Sequence, residues 1–519
     1  MLMKHTLTLL LMLASCLFGR AAEPMDWRGI MIDVSRHFMP LDFLYRQVDA
    51  MQHFGLNKLH LHLTDAAGWR MEIKSRPRLT EVGAWRPEAN WQTWWDGDRH
   101  YGGSYGGYYT QEELRQLVTY AMERGVDIVP EIEFPAHSEE VVAAYPELGF
   151  NHAELDMQKS EVYRFMRDVL CEVADVFPSE YLHLGGDEAA TQHELQPIGM
   201  RQVKHIVDSL GRKMIVWDEA LTDEPADSTM VIMVWRNPDT AKKAIDLHHP
   251  VIMCPGAWCY FDKCQDAPMT QPRSAGGYLP LEKVYAFRPL PDVLGIQGNV
   301  WTEHIATPDH AEHMLWPRAI AIAQLASGEH LAWDVFRQKA VEGTRWLRDT
   351  LGVNAFNLDT EVGERPERGR PIRCATTGCN VSYNTPFHPA YPAAGECTLT
   401  DGLQGGWSNT DGRWQGFIGR RGMDVTIDLG RRQRLSCIEA SFLQSTGPEI
   451  FLPSQLIISA SNDGTNFTTL QHTTLPDSPA PERYETLGWK GHTRTRFIRF
   501  QAVPGARQGW IFCDEIMAR

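Results

Sequence analysis

Eight short apolar segments recur between residues 27 and 298, and longer segments with helical periodicity separate them. The predicted strands are Trp27–Asp33, Asn57–Leu63, Val126–Ile132, Tyr181–Leu184, Met214–Trp217, Val231–Trp235, Val251–Cys254 and Gly295–Gly298. Apolar residues at three- and four-residue spacing predict helices at Leu41–Phe54, Gln111–Arg124, Ser160–Val176 and Met200–Gly211, and a final helical region at Pro308–Leu351. This alternation indicates an α/β fold, a (β/α)8 barrel (TIM barrel), with a doubly wound sheet as the alternative.

The net charge of the chain indicates which kinds of partner it can bind. The chain has 50 Lys and Arg against 66 Asp and Glu, a formal net charge of −16. Nucleic acid phosphates repel such a chain, and no run of Lys or Arg offers a local basic patch. The composition therefore argues against a nucleic-acid partner.

Residues 1–22 have the pattern of a secretory signal peptide. Lys4 precedes the apolar run Leu7–Leu13, which is too short to span a membrane. Two cleavage sites stay open: the sequence ending at Cys16 resembles a bacterial lipobox with a lipid anchor, and Arg20-Ala21-Ala22 resembles an ordinary signal-peptidase site. Both predict an exported bacterial protein, periplasmic or at the cell surface.

Cysteine spacing is less informative. Nine cysteines follow Cys16, an odd number, so at least one stays free or pairs between chains. Neither the group at 254–264 nor the group at 374–397 has the paired spacing of a zinc site. Export permits disulfides, and their connectivity stays open.

Polar and aromatic residues gather where the predicted strands end. They are Asp33, His37, Asp65, Glu131, Glu133, His137, Asp187, Glu188, Trp217, Asp218, Glu219, Trp235, Trp258, Tyr260, Asp262, Trp301 and Glu303. Active sites of such barrels lie at the carboxyl ends of the strands. Aromatic rings beside carboxylates suit a sugar, whose C–H faces stack on rings while its hydroxyls take charged hydrogen bonds.

Among these strand ends, the stretch Tyr181–Ala190 gives the clearest functional signal. Gly185 and Gly186 allow a tight turn, and the adjacent carboxylates Asp187 and Glu188 follow at once. Two neighbouring carboxylates repel each other, which indicates a use for them. The alternative is structural: Asp187 would cap the next helix and Glu188 would lie in its first turn.

Several longer motifs resemble one enzyme family. They are RGIMIDVSRHF (Arg28–Phe38), NKLHLHLTDAAGWRMEI (Asn57–Ile73), VDIVPEIEFPAHS (Val126–Ser138), YLHLGGDEA (Tyr181–Ala189), WCYFDK (Trp258–Lys263) and IQGNVWTEHI (Ile296–Ile305). In order and spacing, residues 27 to about 350 resemble the catalytic domain of glycoside hydrolase family 20, the exo-acting β-N-acetylhexosaminidases. We therefore expect a catalytic domain at residues 23–358.

The resemblance implies retaining, substrate-assisted hydrolysis of terminal β-linked GlcNAc or GalNAc, without a cofactor. The substrate's 2-acetamido group would attack the anomeric carbon and form an oxazolinium ion, which water then opens. Glu188 would act as general acid and then base, a role that calls for a raised pKa. Asp187 would accept from the acetamide N–H, and Tyr260 would donate to the acetamide oxygen.

The same resemblance assigns residues that bind the sugar. Arg28 would hold O3 and O4, Glu303 would accept on the O4 side, and Asp262 would reach toward O4 or O6. The residues expected to enclose the acetamide and the ring, or to support the acid, are Trp217, Trp235, Trp301, His137 and Asp65. Preference between the two epimers stays open.

The end of the chain has a different texture. Residues 359–373 are charged and lack apolar periodicity, which predicts a linker. Residues 374–519 contain short β-branched runs typical of an all-β, jelly-roll-like sandwich. They resemble discoidin-like (coagulation-factor C-type) domains, many of which bind carbohydrate; a spacer is the alternative. That resemblance implies a structural calcium ion, with Asp401 and Glu515 as ligands.

Two other functions compete with the leading one. A catalytically inactive glycan-binding protein would be expected to lack Asp187, Glu188 or Tyr260, yet all three are present. A retaining glycosidase with a protein nucleophile would pair Glu131 or Glu219 with Glu188, and it would not need a 2-acetamido group.

Overall fold

The computed structural model describes residues 23–221, 228–478, 480, 482–507 and 509–519. The predicted signal peptide and Cys16 lie outside the described residues. Over the ranges that are described, no helix combines the length and apolar character needed to cross a membrane. All nine cysteines in these ranges are free thiols.

The predicted barrel is confirmed. Its eight parallel strands, labelled β1 to β8 in chain order, are Trp27–Asp33, Lys58–His62, Asp127–Phe134, Tyr181–Gly185, Lys213–Trp217, Val231–Val234, Val251–Met253 and Gly295–Val300. They close in the order β1-β8-β7-β6-β5-β4-β3-β2. Their residues are almost all buried, because a parallel strand packs on both faces.

Helices follow the strands along the chain. Those of eight or more residues are Leu41–Phe54, Gln111–Met122, Ser160–Val176, Gln196–Ser209, Pro238–Asp246, Pro308–Leu315, Arg318–Ala326 and Trp333–Leu351. Shorter helices are Arg78–Glu81, Trp91–Asp96, Glu139–Ala144, Gly256–Cys259 and Leu281–Tyr285. The predicted final helical region is thus three helices.

Local chemistry sets several helix ends. Thr110 and Glu113 form a capping box at the start of Gln111–Met122, each satisfying a backbone N–H of the other. The first helix ends at Gly55, whose φ of 77° is left-handed and therefore favours a residue without Cβ.

The described chain forms two compact units. The first comprises residues up to 260, 282–300 and 315–356, and contains the barrel. The second comprises 261–281, 301–314 and 357–519. The segments that follow β7 and β8 belong to the second unit although they fall within the predicted catalytic domain at 23–358, which stays a prediction.

The second unit is built on antiparallel strands, labelled β9 to β15: Asn380–Tyr383, Gln415–Phe417, Met423–Ser445, Gln455–Ser461, Thr468–Thr474, Glu482–Val503 and Ile511–Ala518. They pair in the order β10-β15-β11-β14-β12-β13, with β9 also on β11. The 23-residue β11 contains two short runs, Met423–Leu429 and Cys437–Leu443, which their composition predicts as separate strands, and register shifts interrupt its pairing with β14. The predicted all-β domain is confirmed.

Part of the predicted linker at 359–373 makes specific contacts within the second unit. Arg365 is 3% exposed and donates to the Gly405 carbonyl at 2.6 Å and to Asp514 at 3.1 Å. The backbone N–H groups of Val362 and Gly363 donate to Asp266. Arg365 is thus anchored in the second unit, whereas Glu367, Arg370 and Arg373 of the same segment are exposed.

Candidate active site

Strand register brings four polar side chains to one level inside the barrel. Asp33 of β1 pairs with His62 of β2, His62 with Glu131 of β3, and Glu131 with His183 of β4. All four residues are buried. This level lies toward the carboxyl ends of the strands, where barrel enzymes place their chemistry.

Glu131 is the centre of this buried layer. One of its oxygens accepts from the indole N–H of Trp217 at 2.8 Å and lies 2.8 Å from Nδ1 of His183. The other contacts Nδ1 of His62 and lies 3.0 Å from Nε2 of His60. Nitrogen and oxygen atoms this close could also hold a metal ion. Burial would raise the pKa of Glu131, but the three imidazoles outweigh it and hold that pKa well below its usual range.

A chain of charged contacts leads from this layer to the strand end. His62 Nε2 lies 2.9 Å from Asp65, and Nδ1 of His137 lies 3.4 Å from the other oxygen of Asp65. His137 Nε2 then lies 3.3 Å from Glu188. Arg36 contacts Asp65 at 2.7 Å and Asp33 at 3.2 Å.

The opposite charges along this series of contacts stabilise one another's ionised forms. Burial disfavours a positive His137, but Asp65, Glu188 and Asp187 outweigh that cost and hold the pKa of His137 well above its usual value. Burial likewise opposes a charged Asp65, yet Arg36 and His137 hold its pKa far below the usual range. We therefore assign a positive His137 that donates to Asp65 and Glu188.

The turn after β4 separates the two adjacent carboxylates. Gly185 and Gly186 have φ of 61° and 90°, and Glu188 itself has φ of 49°, a conformation uncommon outside glycine. A Cβ on Gly185 would lie 1.8 Å from an oxygen of Glu133, so only glycine fits. The turn leaves the Asp187 side chain 14% exposed and that of Glu188 63% exposed.

The environments of Asp187 and Glu188 shift their pKa values in opposite directions. Burial, with smaller contributions from Glu131 and Glu219, raises the pKa of Asp187 to about 7. The hydrogen bond from His137 is the largest effect on Glu188 and lowers its pKa. The expected raised pKa of Glu188 is therefore wrong for this structure, because its imidazolium partner outweighs desolvation.

Three predicted aromatic residues lie on neighbouring strand ends. Trp217 is 1% exposed and its N–H is bound to Glu131, so it belongs to the buried layer. The half-buried rings of Trp235 and Tyr260 stack at 6.0 Å with planes 14° apart. Glu219 accepts from the indole N–H of Trp235 at 2.9 Å.

Arg28 is not at this site, which corrects the prediction. It is the second residue of β1, and it donates to the carbonyls of Met25 and Gly55 at the amino end of the barrel. Arg36 follows the carboxyl end of the same strand and reaches Asp65 instead. The strand bounds alone would have identified it, because only residues past a strand's carboxyl end reach the site.

Asp262, Trp301 and Glu303 lie in the second unit, at the starts of the segments that follow β7 and β8. Their predicted contacts with the sugar stay predictions. Three histidines, His60, His62 and His183, lie around Glu131 in a network that the sequence analysis did not predict.

Comparison with known proteins decides the family. The family model described as "Glycosyl hydrolase family 20, catalytic domain" matches residues 25–327. The chain belongs to glycosyl hydrolase family 20. The F5/8 type C domain model matches residues 388–516, in agreement with the predicted discoidin-like domain. The family 20 model thus spans all eight barrel strands and every residue in the series of contacts that links Glu131 to Glu188.

Two curated family 20 relatives illustrate the likeness. A beta-hexosaminidase of Porphyromonas gingivalis is 37% identical over 342 residues, which cover 58% of this chain and 42% of that protein. A beta-hexosaminidase of Akkermansia muciniphila is 30% identical over 392 residues, 64% of this chain and 74% of that protein. The chain thus spans less than half the length of the first.

Solved family 20 structures share the fold. The exo beta-N-acetylglucosaminidase of Vibrio harveyi, in complex with N-acetylglucosamine, has a TM-score of 0.57 and 30% identity over 64% of this chain and 59% of that one. The beta-N-acetylhexosaminidase of Streptomyces coelicolor has a TM-score of 0.58 and 27% identity, covering 66% and 72%.

The raised pKa of Asp187 predicts a pH-dependent stability. Its pKa is about 7 in the folded chain and near 4 when unfolded, so its ionisation destabilises the fold increasingly from pH 4 to pH 7. We expect Asp187→Asn to raise the Tm by a few degrees at pH 8 and by much less at pH 4. Thermal melts of both proteins across this range test it; an equal shift at both pH values contradicts it.

Proposed function

We propose that the protein is an exo-acting, retaining β-N-acetylhexosaminidase that removes terminal β-linked GlcNAc or GalNAc from glycans. The observation that carries this proposal is Asp187 Oδ1, a buried acceptor with no hydrogen-bond partner among the described residues. An unsatisfied buried acceptor costs about 1–3 kcal/mol, and a substrate acetamide N–H would satisfy it. A second carboxylate, Glu188, stands beside it with the opposite exposure.

The reaction follows from these two environments. The acetamide oxygen attacks the anomeric carbon while Glu188 protonates the departing glycosidic oxygen, and a cyclic oxazolinium ion forms. Asp187, ionised, accepts from the acetamide N–H and stabilises the positive charge that develops. Water, deprotonated by Glu188, then opens the ring with overall retention. Tyr260 is the proposed donor to the acetamide oxygen.

His137 and Arg36 would prepare the acid and the sugar site. His137 holds Glu188 by one ring nitrogen and Asp65 by the other. A sugar over Glu188 would exclude water from an exposed carboxylate, and this desolvation would raise its pKa toward that of an acid. Arg36, fixed by Asp33 and Asp65, is the proposed ligand of the sugar hydroxyls in place of Arg28.

A protein nucleophile fits this site poorly. Glu131 is fully buried among three histidines and Trp217, so it cannot reach an anomeric carbon. Glu219 is bound to the indole N–H of Trp235 and lies 3.7 Å from Arg236. Substrate assistance needs neither carboxylate as nucleophile.

The test is the dependence on the acetamido group. We expect the wild-type protein to hydrolyse an aryl β-N-acetylglucosaminide and to leave the matching aryl β-glucoside intact. On an oligosaccharide it should release single sugars from the non-reducing end. Cleavage of both aryl glycosides at similar rates would show a protein nucleophile, and binding without cleavage would show an inactive glycan-binding protein.

Export and lipid anchoring are proposed from residues 1–22 alone. The apolar run after Lys4 supports export, and the lipobox-like sequence ending at Cys16 supports an anchor in a bacterial membrane. Fractionation of cells expressing wild type and Cys16→Ser distinguishes the two cleavage sites. An anchored protein moves from the membrane to the soluble exported fraction in the variant, whereas an ordinary secreted protein does not change.

We also propose a structural calcium ion in the second unit. Glu515 Oε2 accepts from Gly402 at 3.1 Å, while its Oε1 is buried and has no partner among the described residues. Burial, with Asp401 contributing, raises the pKa of Glu515 to about 9. Ca²⁺ prefers oxygen ligands, and the carboxylates of Asp401 and Glu515 would supply part of its coordination shell.

Calcium should therefore stabilise the protein. We expect Ca²⁺ to raise the Tm and a chelator to lower it, because binding only the folded chain stabilises it. Glu515→Gln should remove the response while the chain remains folded. A Tm unaffected by Ca²⁺ in wild type would show that Asp401 and Glu515 do not hold the ion.

Glycan binding by the second unit is a separate proposal. A small cleft in this unit is bounded by Phe451, Arg507 and Trp510, with the Arg507 guanidinium 5.4 Å from the ring centre of Phe451. Rings beside a charged donor suit a sugar. The test is the retention of glycans on a column that carries the immobilised protein. We expect weaker retention on a column that carries the Trp510→Ala variant, and equal retention would contradict the proposal.

A further inference from the structure

A cluster of basic side chains lies on a solvent-exposed face of the second unit, where β11 pairs with β14. Arg434 of β11 and Arg494 of β14 are direct cross-strand partners. The next residues along each strand, Leu435 and Thr495, are 2% and 1% exposed, whereas both arginines are exposed. Because side chains alternate along a strand, the two guanidinium groups leave the same face of this strand pair and point to solvent.

Two irregularities in the pairing enlarge the cluster. Residues 429–432 of β11 and residues 491–492 of β14 lie outside the paired positions, because the register shifts at both places. Such bulges redirect side chains and are frequent beside functional sites. The exposed basic side chains in and next to the bulges are Arg431, Arg432, Lys490 and His492. The expectation that the chain has no local basic patch is therefore wrong, because two distant strands contribute to this one.

The carboxylates near this cluster are paired with other arginines. Asp428 accepts from Arg496 at 2.8 and 2.9 Å, and Glu439 lies 3.4 Å from Arg519. Over the part of the chain that the structure describes, no carboxylate forms an ion pair with the remaining cations of the cluster, Arg431, Arg432, Arg434, Lys490 and Arg494. Like charges directly opposite each other destabilise strand pairing, and a bound anion would offset the repulsion between Arg434 and Arg494.

The cluster borders a cavity of about 360 Å³. It is lined by Arg434, Leu435, Ser436, His492, Thr493 and Arg494. This volume is within the range of small-molecule sites, about 300–1,000 Å³. The cavity shares no lining residue with the cleft at Phe451 and Trp510. It offers two guanidinium groups and two hydroxyl groups, while its one large apolar residue is buried.

We propose that this basic cluster binds a sulfate ester on a glycan. The planar guanidinium group donates two parallel hydrogen bonds to an oxyanion, and these charged bonds are stronger than neutral ones. A sulfate ester presents three terminal oxygens and can bridge the guanidinium groups of Arg434 and Arg494, whereas one guanidinium already satisfies the two oxygens of a carboxylate. The hydroxyl groups of Ser436 and Thr493 pair with hydroxyl groups of the same sugar. This binding goes beyond the proposed hydrolysis and does not depend on it.

Other polyanions fit the cluster less well. The formal net charge of −16 opposes the approach of the chain to an extended anionic surface, such as a membrane or a nucleic acid. The cluster itself acts only over about 10 Å at moderate salt, which suits a single sulfated sugar. None of the large hydrophobic side chains exposed in the described residues belongs to the cluster. It therefore has no side chain to insert into a bilayer or to stack on a base.

The experiment measures binding of the full-length protein to dextran sulfate. Unsulfated dextran, the carboxylated polymer polygalacturonate and vesicles of anionic phospholipid are the comparison probes. We expect dextran sulfate to bind about tenfold or more tightly than each of the others, and Arg434→Gln combined with Arg494→Gln to weaken that binding about tenfold or more. The double variant should have an unchanged or higher Tm, because it removes a repulsion, and should hydrolyse an aryl β-N-acetylglucosaminide as the wild type does.

Arg420→Gln combined with Arg421→Gln is the matched control, because these exposed arginines of the same unit do not line the cavity and the variant loses the same charge. It should bind dextran sulfate as tightly as the wild type. Equal losses in both double variants, or no loss in the first, would overturn the proposal. Tighter binding to polygalacturonate would rule out sulfate as the preferred group, and tighter binding to vesicles would identify a membrane surface instead. A wild type that binds dextran sulfate but hydrolyses no aryl glycoside would overturn only the proposed function.

Discussion

Glu188→Gln is expected to lower kcat/KM about 10²–10⁴-fold for a β-N-acetylglucosaminide whose leaving group needs protonation. The amide still accepts a hydrogen bond from His137 but cannot give a proton to the departing oxygen. With a highly acidic aryl leaving group the loss should be much smaller, since that oxygen departs without protonation. Rates measured over a series of aryl leaving groups test this, and the wild type should depend less steeply on leaving-group acidity than the variant.

Asp187→Asn is the companion measurement. It removes the charge that stabilises the developing oxazolinium ion, so its loss should persist whatever the leaving group. If Glu188→Gln were equally inactive on every leaving group, Glu188 would not be the general acid. If Asp187→Asn kept its activity, the acetamide would not depend on that carboxylate.

Glu131→Gln is expected to have the largest effect on stability. Its carboxylate pairs with the buried imidazoles of His60, His62 and His183 and accepts from Trp217. Removing one member of a buried charged group costs about 3–5 kcal/mol, because the partners remain buried without compensation. We expect a Tm lower by roughly 10 °C, measured by calorimetry at pH 7, together with reduced activity.

Glu133→Gln is the control on the same strand. Both oxygens of Glu133 are buried without hydrogen-bond partners among the described residues, and burial with nearby Asp187 and Glu131 raises its pKa well above the usual value. A neutral glutamic acid loses little on becoming glutamine, so its Tm should stay the same or rise. Equal destabilisation by both changes would show that the volume of the side chain, and not the charge network, holds this layer together.

The sequence by itself determined the barrel and the position of the turn that carries Asp187 and Glu188. Buried parallel strands must be short continuous apolar runs, and the observed β1 and the helix Leu41–Phe54 have the predicted bounds. Polar residues past strand ends converge whatever the loops do, so Asp187, Glu188 and His137 could be placed together. The resemblance of the motifs then indicated the family, which the comparisons confirm.

Only the tertiary structure decided which charged groups contact one another. Arg28 lies in β1 and Arg36 just past its carboxyl end, and the structure shows that Arg28 donates to the carbonyls of Met25 and Gly55 whereas Arg36 contacts Asp65. Contact with His137, 51 positions from Glu188 in the sequence, lowers the pKa of Glu188, where a raised pKa was expected. Arg365, within the predicted linker, is buried and pairs with Asp514, 149 positions away. Coulombic interactions depend on distance in space and on burial, and neither is encoded in local periodicity.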